Sequence, residues 1–202
     1  MAVSRETKQD YVLLFILEFH ILLGSIDCYC VMHYFCRMNK VINIKSNAAK
    51  REIAVFKKRH YYSCDIKFEN MHLCILNKMV RHNIFKKNDI YINSTTLYEI
   101  MQPVGSSGLH NYHGLTVEDV FDSLNAITTP QCILKSKNNR FIIVPTYCSS
   151  YDLPLMVVIE IGASLVSNQK ANINKIVTIY PKSDLDEYIK KIGNNRILYI
   201  KK

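Results

Sequence analysis

The final stretch of the chain, residues 172–202, constrains the fold most strongly because it predicts a strand, a helix and a second strand in order. Apolar and polar residues alternate from Ile173 to Pro181, which is the period of a strand with one face on a core, and the proline is expected to end it. Ser183 is predicted to cap a helix whose first turn is acidic and whose last turn is basic, and Gly193 is predicted to end that helix. The apolar run Ile197–Ile200 is predicted to form the closing strand. The apolar stripe of the helix comprises Leu185, Tyr188, Ile189 and Ile192.

The length and the charge of the chain limit its class. A chain of 202 residues that is 49% hydrophobic can bury the core of one domain and still carry an N-terminal extension. Its 26 basic and 17 acidic side chains favour an anionic partner, such as nucleic acid or an acidic membrane surface. The seven cysteines are odd in number and unevenly spaced, which argues against a set of disulfides and indicates a reducing compartment.

Residues 11–36 are the longest apolar run, and as a helix they could cross a bilayer core of about 30 Å. Three interpretations of residues 1–40 stay open: a membrane anchor, a helix packed on the domain, or a leader upstream of a product that starts at Met71 or Met79. Basic residues follow the run, as they do on the cytoplasmic side of a spanning helix. The expected location is therefore the cytoplasm, or a membrane with the C-terminal domain on its cytoplasmic side. The polar interruptions that weaken the anchor are Glu18, His20, Asp27 and His33.

No cofactor or metal site is predicted. Cys28, Cys30, His33 and Cys36 have zinc-ligand chemistry, but they lie in one apolar run without the structured spacer that usually separates ligand pairs. Burial as small apolar residues is the favoured interpretation. The sequence also lacks a P-loop, a dinucleotide fingerprint, an HExxH motif and a nucleophile elbow.

Residues 41–88 are predicted to be a basic connector, and residues 89–202 a folded domain. Within the connector only KREIAVFKKRH resembles an amphipathic helix. In the domain, DIYIN predicts a strand, and Thr96 with Glu99 predicts a capped helix that Pro103 ends. The glycine-rich segment after it is predicted to be a loop that carries His110 and His113.

The middle of the domain is predicted to be a helix followed by an antiparallel meander. Thr116 and Asp119 form a capping box, and the segments QCILKS, RFIIVPT and PLMVVIEIG are short strands separated by turns. With the C-terminal strands, the expected fold class is α+β: a small antiparallel sheet of four to five strands with helices packed on it, preceded by an apolar N-terminal helix.

The order of these motifs resembles the C-terminal domain of phage MuF proteins. The resemblance covers about residues 89–202 and is carried by HGLTVEDVFDSLNAITTPQCILKS, the two apolar strands, NKIVTIYPKSDLDEYI and ILYIKK. The sequence departs from the family pattern at Thr129 and Pro130, where the family has Asn-Pro. That family is grouped with the barnase, EndoU, colicin and RelE-like nucleases, so the resemblance implies a toxin-like domain that is a metal-independent ribonuclease or an RNA-binding module.

The resemblance also implies candidate site residues. His113 matches the family's histidine and is expected to act in acid–base catalysis together with Tyr180 and Lys182 in a shared cleft. In the structural alternative, His113 is a loop histidine that only hydrogen-bonds to the backbone. Tyr180 is then a half-buried tyrosine beside Lys182, a solvated lysine. The partners implied are RNA, an immunity protein or a phage structural protein, and a membrane through residues 11–36. A catalytically inactive phage-particle module or a membrane-tethered interaction module is the alternative function. The residues expected to bind RNA are Lys135, Ser136, Arg140 and His110.

Overall fold

The fold is given by a computed structural model. It describes residues 41–44, 49–58, 63–69, 71–85, 89–105, 112–165 and 172–201. The apolar run 11–36, with its expected helix and the cysteine-rich group within it, lies outside these residues. Within them, no helix has both the length and the apolar character that a membrane crossing requires.

The described residues form one mixed sheet of eight strands in the order β1-β2-β3-β7-β6-β5-β4-β8. The expected antiparallel sheet of four to five strands is therefore wrong in size and in strand direction, because β1 pairs with β2, and β3 with β7, in parallel. The meander β4-β5-β6-β7 is antiparallel as expected, and β8 joins it beside β4. The strands are β1 (Val41–Ile44), β2 (Asp65–Phe68), β3 (Ile90–Asn93), β4 (Pro130–Lys135), β5 (Arg140–Pro145), β6 (Leu155–Ala163), β7 (Ile173–Pro181) and β8 (Ile197–Ile200).

The additional strands lie where a basic connector was expected, in residues 41–88. Each of them has four residues, which is too short for a period-two pattern to stand out from its surroundings. A parallel pair needs a long crossover, and the helix between β1 and β2 provides it. The helices are α1 (Ala49–Lys58), α2 (Asn77–Val80), α3 (Ser94–Ile100), α4 (Val117–Asn125) and α5 (Leu185–Ile192).

Each face of the sheet buries its own core. The larger core lies under α1, α3 and α4, and it includes Ile66, Ile92, Ile143 and Ile159 from four different strands. The smaller core lies under α5 on the opposite face, and the apolar stripe of α5 faces this core, as the sequence predicted that it would face inward. The sheet residues of the smaller core are Cys132, Leu134, Ile142, Val144, Met156 and Val158.

The helix ends agree only partly with the sequence. Thr116 and Asp119 form the expected capping box of α4, and Gly193 follows α5 with a positive φ of 85°. Asn93 caps α3 by accepting a hydrogen bond from the Thr95 amide, so the cap expected at Thr96 is wrong. The cap expected at Ser183 is wrong, because Asp184 is the N-cap residue of α5 and the Ser183 hydroxyl donates to Asp184 Oδ1 at 3.0 Å.

The ladder between β3 and β7 is short, and this positions the site. It ends at the pair Ile92 and Ile176, because α3 begins at Ser94 and leads the chain away from the sheet. Beyond Ile176, no strand among the described residues pairs with this edge of β7. The loop that connects α3 to α4 returns to this edge.

Candidate functional site

His113 lies against the free edge of β7. Its Nε2 atom is 3.2 Å from the hydroxyl of Thr178, and its ring centroid is 5.6 Å from that of Tyr180. The loop is held in place because the Gly114 amide donates to the carbonyl of Gln102 at 2.8 Å. The structure therefore brings together His113 and Tyr180, two of the three residues expected to act in catalysis.

Burial affects the proton equilibria of both rings. Loss of solvent around the half-buried His113 lowers the pKa of its imidazole below the usual 6.5, so the ring is neutral near pH 7. Burial, and secondarily the nearby Tyr188, raises the pKa of Tyr180, so its phenol stays protonated. Within the described residues, the Nδ1 atom of His113 has no hydrogen bond. When Nε2–H donates to Thr178, Nδ1 therefore keeps its lone pair.

His113 opens into a cleft of about 450 Å³, which we call the His113 cleft. Two of its walls are large apolar side chains that stay exposed, Val104 at 76% and Tyr151 at 64%. Lys57, near the end of α1, is the one cationic side chain among the described residues that line it. The lining residues are Lys57, Met101, Gln102, Pro103, Val104, His113, Gly114, Tyr151 and Pro181.

Lys57 and Tyr151 were not expected from the sequence. Lys57 falls in the amphipathic patch KREIAVFKKRH, where a lysine at the end of a helix usually faces solvent. Tyr151 lies in a loop between serines and an aspartate. The signal that could have identified it is an aromatic residue in an otherwise polar loop.

The loop that carries Tyr151 is held by a fully buried carboxylate, Asp119 of α4. One carboxylate oxygen of Asp119 accepts from the Ser150 amide at 2.7 Å, and the other accepts from the Ser150 hydroxyl at 3.0 Å. Burial alone would raise the pKa of Asp119, but the hydrogen bonds from Thr116 and Ser150 outweigh it and lower the pKa below 3.8. Burial together with the charge of Asp119 raises the pKa of Tyr147 to about 12. Asp119 therefore fixes the wall of the His113 cleft while staying ionised.

Lys182 is not among the described residues that line the His113 cleft. Its ammonium group lies 2.8 Å from Asp184 Oδ1 and 5.7 Å from the centre of the Tyr188 ring, at the start of α5. The hydrogen bond from Lys182, followed by that from Ser183, lowers the pKa of Asp184. Lys182 is thus near the expected corner of the sheet, but its charge is already paired.

Three of the four residues expected to bind RNA lie at the other end of the sheet. Lys135 ends β4, Ser136 follows it, and Arg140 begins β5 on the other side of a tight hairpin. Arg140 Nε donates to Glu160 Oε2 at 2.9 Å. His110 falls outside the described residues.

Arg140 lines a second cleft of about 330 Å³, which we call the Arg140 cleft. Lys175 of β7 also lines it, and its ammonium group lies 2.8 Å from the carboxylate of the buried Asp65. The lining residues are Asn93, Thr96, Arg140, Glu160, Ala163, Ser164, Lys175, Ile176 and Val177.

No cluster of three or more His, Cys, Asp or Glu side chains with metal-binding geometry occurs in the part of the chain that the structure describes.

Comparison with known families links the C-terminal part of the chain to phage proteins. The model of the Phage MuF-C-terminal domain matches residues 106–202, just under half of the chain. This part of the chain is therefore similar to a phage-derived domain family. No curated protein and no solved structure matches the chain. Within the His113 cleft, His113 and Tyr151 lie in the matched segment, whereas Lys57 and Gln102 lie before it.

Proposed function

We propose that this protein is a phage- or prophage-derived, toxin-like domain that cleaves RNA without a metal ion, with His113 as the general base. The observation that carries this proposal is the position of His113: its Nε2 atom contacts Thr178, the residue lines a cleft, and burial lowers the pKa of its imidazole. A neutral histidine near pH 7 is suited to accept a proton from a hydroxyl group.

The reaction is an attack by the ribose 2′-hydroxyl on the adjacent phosphorus. Nδ1 of His113 accepts the hydroxyl proton while the new O2′–P bond forms. The P–O5′ bond breaks, the departing 5′ oxygen takes a proton from water, and a 2′,3′-cyclic phosphate remains. The proton on His113 then returns to solvent.

Two further side chains support this reaction from the walls of the cleft. The Lys57 ammonium group supplies the positive charge that stabilises the phosphorane, a role that the paired Lys182 fills less well. The exposed ring of Tyr151 provides a stacking surface for a base, which every nucleobase can use. Tyr180 acts as a positioning residue, because its ring packs beside the imidazole and not in the cleft lining.

The test is cleavage of RNA by the purified full chain in the presence of a metal chelator, followed on a denaturing gel. The unmodified protein should cleave, and His113→Ala should lose at least about 100-fold of the rate, the usual contribution of a general base. His82→Ala removes an exposed histidine outside both clefts and should leave the rate unchanged. Expression of the full chain should also slow cell growth, and His113→Ala should relieve this effect.

The same experiment decides the alternative of a catalytically inactive interaction module. No cleavage by either the unmodified or the His113→Ala protein would overturn the assignment of a ribonuclease. Equal cleavage by both would overturn the assignment of His113 as the general base.

A further inference from the structure

We infer that the side of β8 that faces away from β4, which we call the β8 edge, binds an acidic, extended segment of a second protein as an added strand. β8 is the last strand of the sheet, and within the described residues no strand pairs with the β8 edge. The inference does not depend on RNA cleavage, because β8 contributes no residue to the lining of the His113 cleft.

The backbone of β8 has hydrogen-bonding groups that a further strand can use. The Lys201 amide donates to the carbonyl of Gln131 at 2.7 Å, so this amide faces β4. Since backbone groups alternate in direction along a strand, the amide and the carbonyl of Ile200 face the β8 edge. An extended segment beside β8 would pair with these groups, which is how sheets bind peptides at their edges.

The apolar side chains at this end of the sheet are incompletely covered. All four residues of β8 are apolar, yet none is buried, and Ile200 is 47% exposed. Ile197 packs against the smaller core, and Ile200 is paired with Cys132 of that core. The helix on this face, α5, also has no buried residue despite its apolar stripe. A strand beside β8 would remove more of Ile197 and Ile200 from water, which favours its binding.

The charges around the β8 edge favour an acidic partner. Arg196 immediately precedes β8 and Lys201 immediately follows it. Neither forms an ion pair with any of the described residues, in contrast to the cations of the Arg140 cleft. Residues 188–202 contain no acidic side chain, and their basic residues are Lys190, Lys191, Arg196, Lys201 and Lys202. Carboxylates in an added strand would therefore meet positive charge at both ends of β8.

Two other occupants fit the β8 edge less well. A second copy of this chain, paired antiparallel through β8, would bring Arg196 of one copy towards Lys201 of the other, and like charges opposed across strands are destabilising. RNA would match the charge, but it would not continue the backbone ladder of the sheet. An acidic segment with alternating apolar residues satisfies both the backbone and the charge.

The test measures binding of a short, dye-labelled peptide of alternating glutamate and valine to the full chain by fluorescence anisotropy. One control peptide has lysine in place of glutamate, and a second has proline at alternate valines, which removes backbone donors while keeping the charge. The acidic peptide should bind about tenfold more tightly than the proline peptide, the effect expected from one or two lost hydrogen bonds. It should also bind more tightly than the lysine peptide.

Two variants locate the binding on β8. Arg196→Glu should weaken binding of the acidic peptide about tenfold. Its control, Lys58→Glu, reverses the charge of an exposed lysine at the end of α1 and should leave binding unchanged. Ile200→Pro removes an amide that faces the β8 edge, where proline is tolerated, and should weaken binding about tenfold, whereas Ile200→Val should not. Thermal unfolding should show that the variants are folded.

Several results would overturn the inference. Equal binding of the acidic and proline peptides would exclude an added strand, and equal losses in Arg196→Glu and Lys58→Glu would exclude binding at β8. No binding of the acidic peptide would show that the β8 edge does not take such a segment. Self-association of the full chain that Ile200→Pro abolishes would assign the edge to a second copy. Binding of an RNA hexanucleotide that Arg196→Glu weakens, without binding of the peptide, would assign it to RNA.

Discussion

His113 and Thr178 are 65 positions apart in the chain, yet Nε2 of the one lies 3.2 Å from the hydroxyl of the other. The contact joins the loop after α3 to the free edge of β7. Both surfaces must be in place for the imidazole to face the His113 cleft, so the site depends on the packing of the whole sheet and not on a local motif.

The burial of His113 should make the folded protein sensitive to mild acid. Because its folded pKa lies below 6.5, the unfolded chain binds the proton more readily, and stability should fall as the pH drops below 6.5 towards the folded pKa. The free energy of unfolding, measured in urea at pH 8 and pH 5, should fall less in His113→Gln than in the unmodified protein. His82→Gln, at an exposed position, is the control, and an equal fall in all three proteins would contradict the expectation.

Replacing Asp119 by Asn should destabilise the protein by about 2–3 kcal/mol, because a buried acceptor of several hydrogen bonds loses its charge. Asp122→Asn, a partly exposed aspartate of the same helix, should cost far less. The stability from Asp119 is present above pH 3.8 and is lost as the pH falls through the lower folded pKa, so this acid-dependent loss should be missing in Asp119→Asn. Urea unfolding across this pH range measures both effects, and equal costs for the two variants would exclude a special role for Asp119.

Tyr151→Ala should weaken binding of single-stranded RNA by a factor of about 5–150, the range expected for loss of about 1–3 kcal/mol of base stacking. Tyr151→Phe keeps the aromatic face and should bind as well as the unmodified protein. Fluorescence anisotropy with a non-cleavable oligonucleotide measures both. Similar losses in the two variants would show that the hydroxyl group, and not the ring, makes the contact.

The hairpin between β4 and β5 should prefer glycine at Asn139. Asn138 and Asn139 have φ values of 53° and 56°, and the Arg140 amide donates to the Lys137 carbonyl at 3.0 Å, as in a type I′ turn. Asn139→Gly should keep or raise the free energy of unfolding, whereas Asn139→Ala should lower it by about 1 kcal/mol. If alanine proved as stable as glycine in thermal unfolding, the positive φ would not be a constraint at this position.

The C-terminal half of the fold could be predicted from the sequence because its signals are local. The alternation in β7, the capping box at Thr116 and the glycine at position 193 each depend on a few neighbouring residues. The strands β1 and β2 could not be found in this way, because four residues carry no readable period and their pairing depends on a crossover. The sheet was therefore expected to be smaller than it is.

The candidate site shows the same division. The sequence predicted that the loop with His113 and the end of β7 with Tyr180 would lie close together, and the two rings do so in the structure. Their role in catalysis stays a proposal. Lys57 joins the same cleft from α1, and nothing near it in the sequence points to a histidine loop far along the chain. The direction of Lys182 was also hidden, since it is set by Asp184 two positions later.

The parallel pairing of β3 with β7 has a practical consequence for anyone who trims this chain. A fragment that begins at residue 106 would lack β1, β2 and β3 and would bare the backbone of β7 along the side that β3 normally covers. An uncovered strand of this kind readily recruits other chains. Aggregation of such a fragment would itself slow cell growth, so toxicity of the fragment would not be evidence of RNA cleavage.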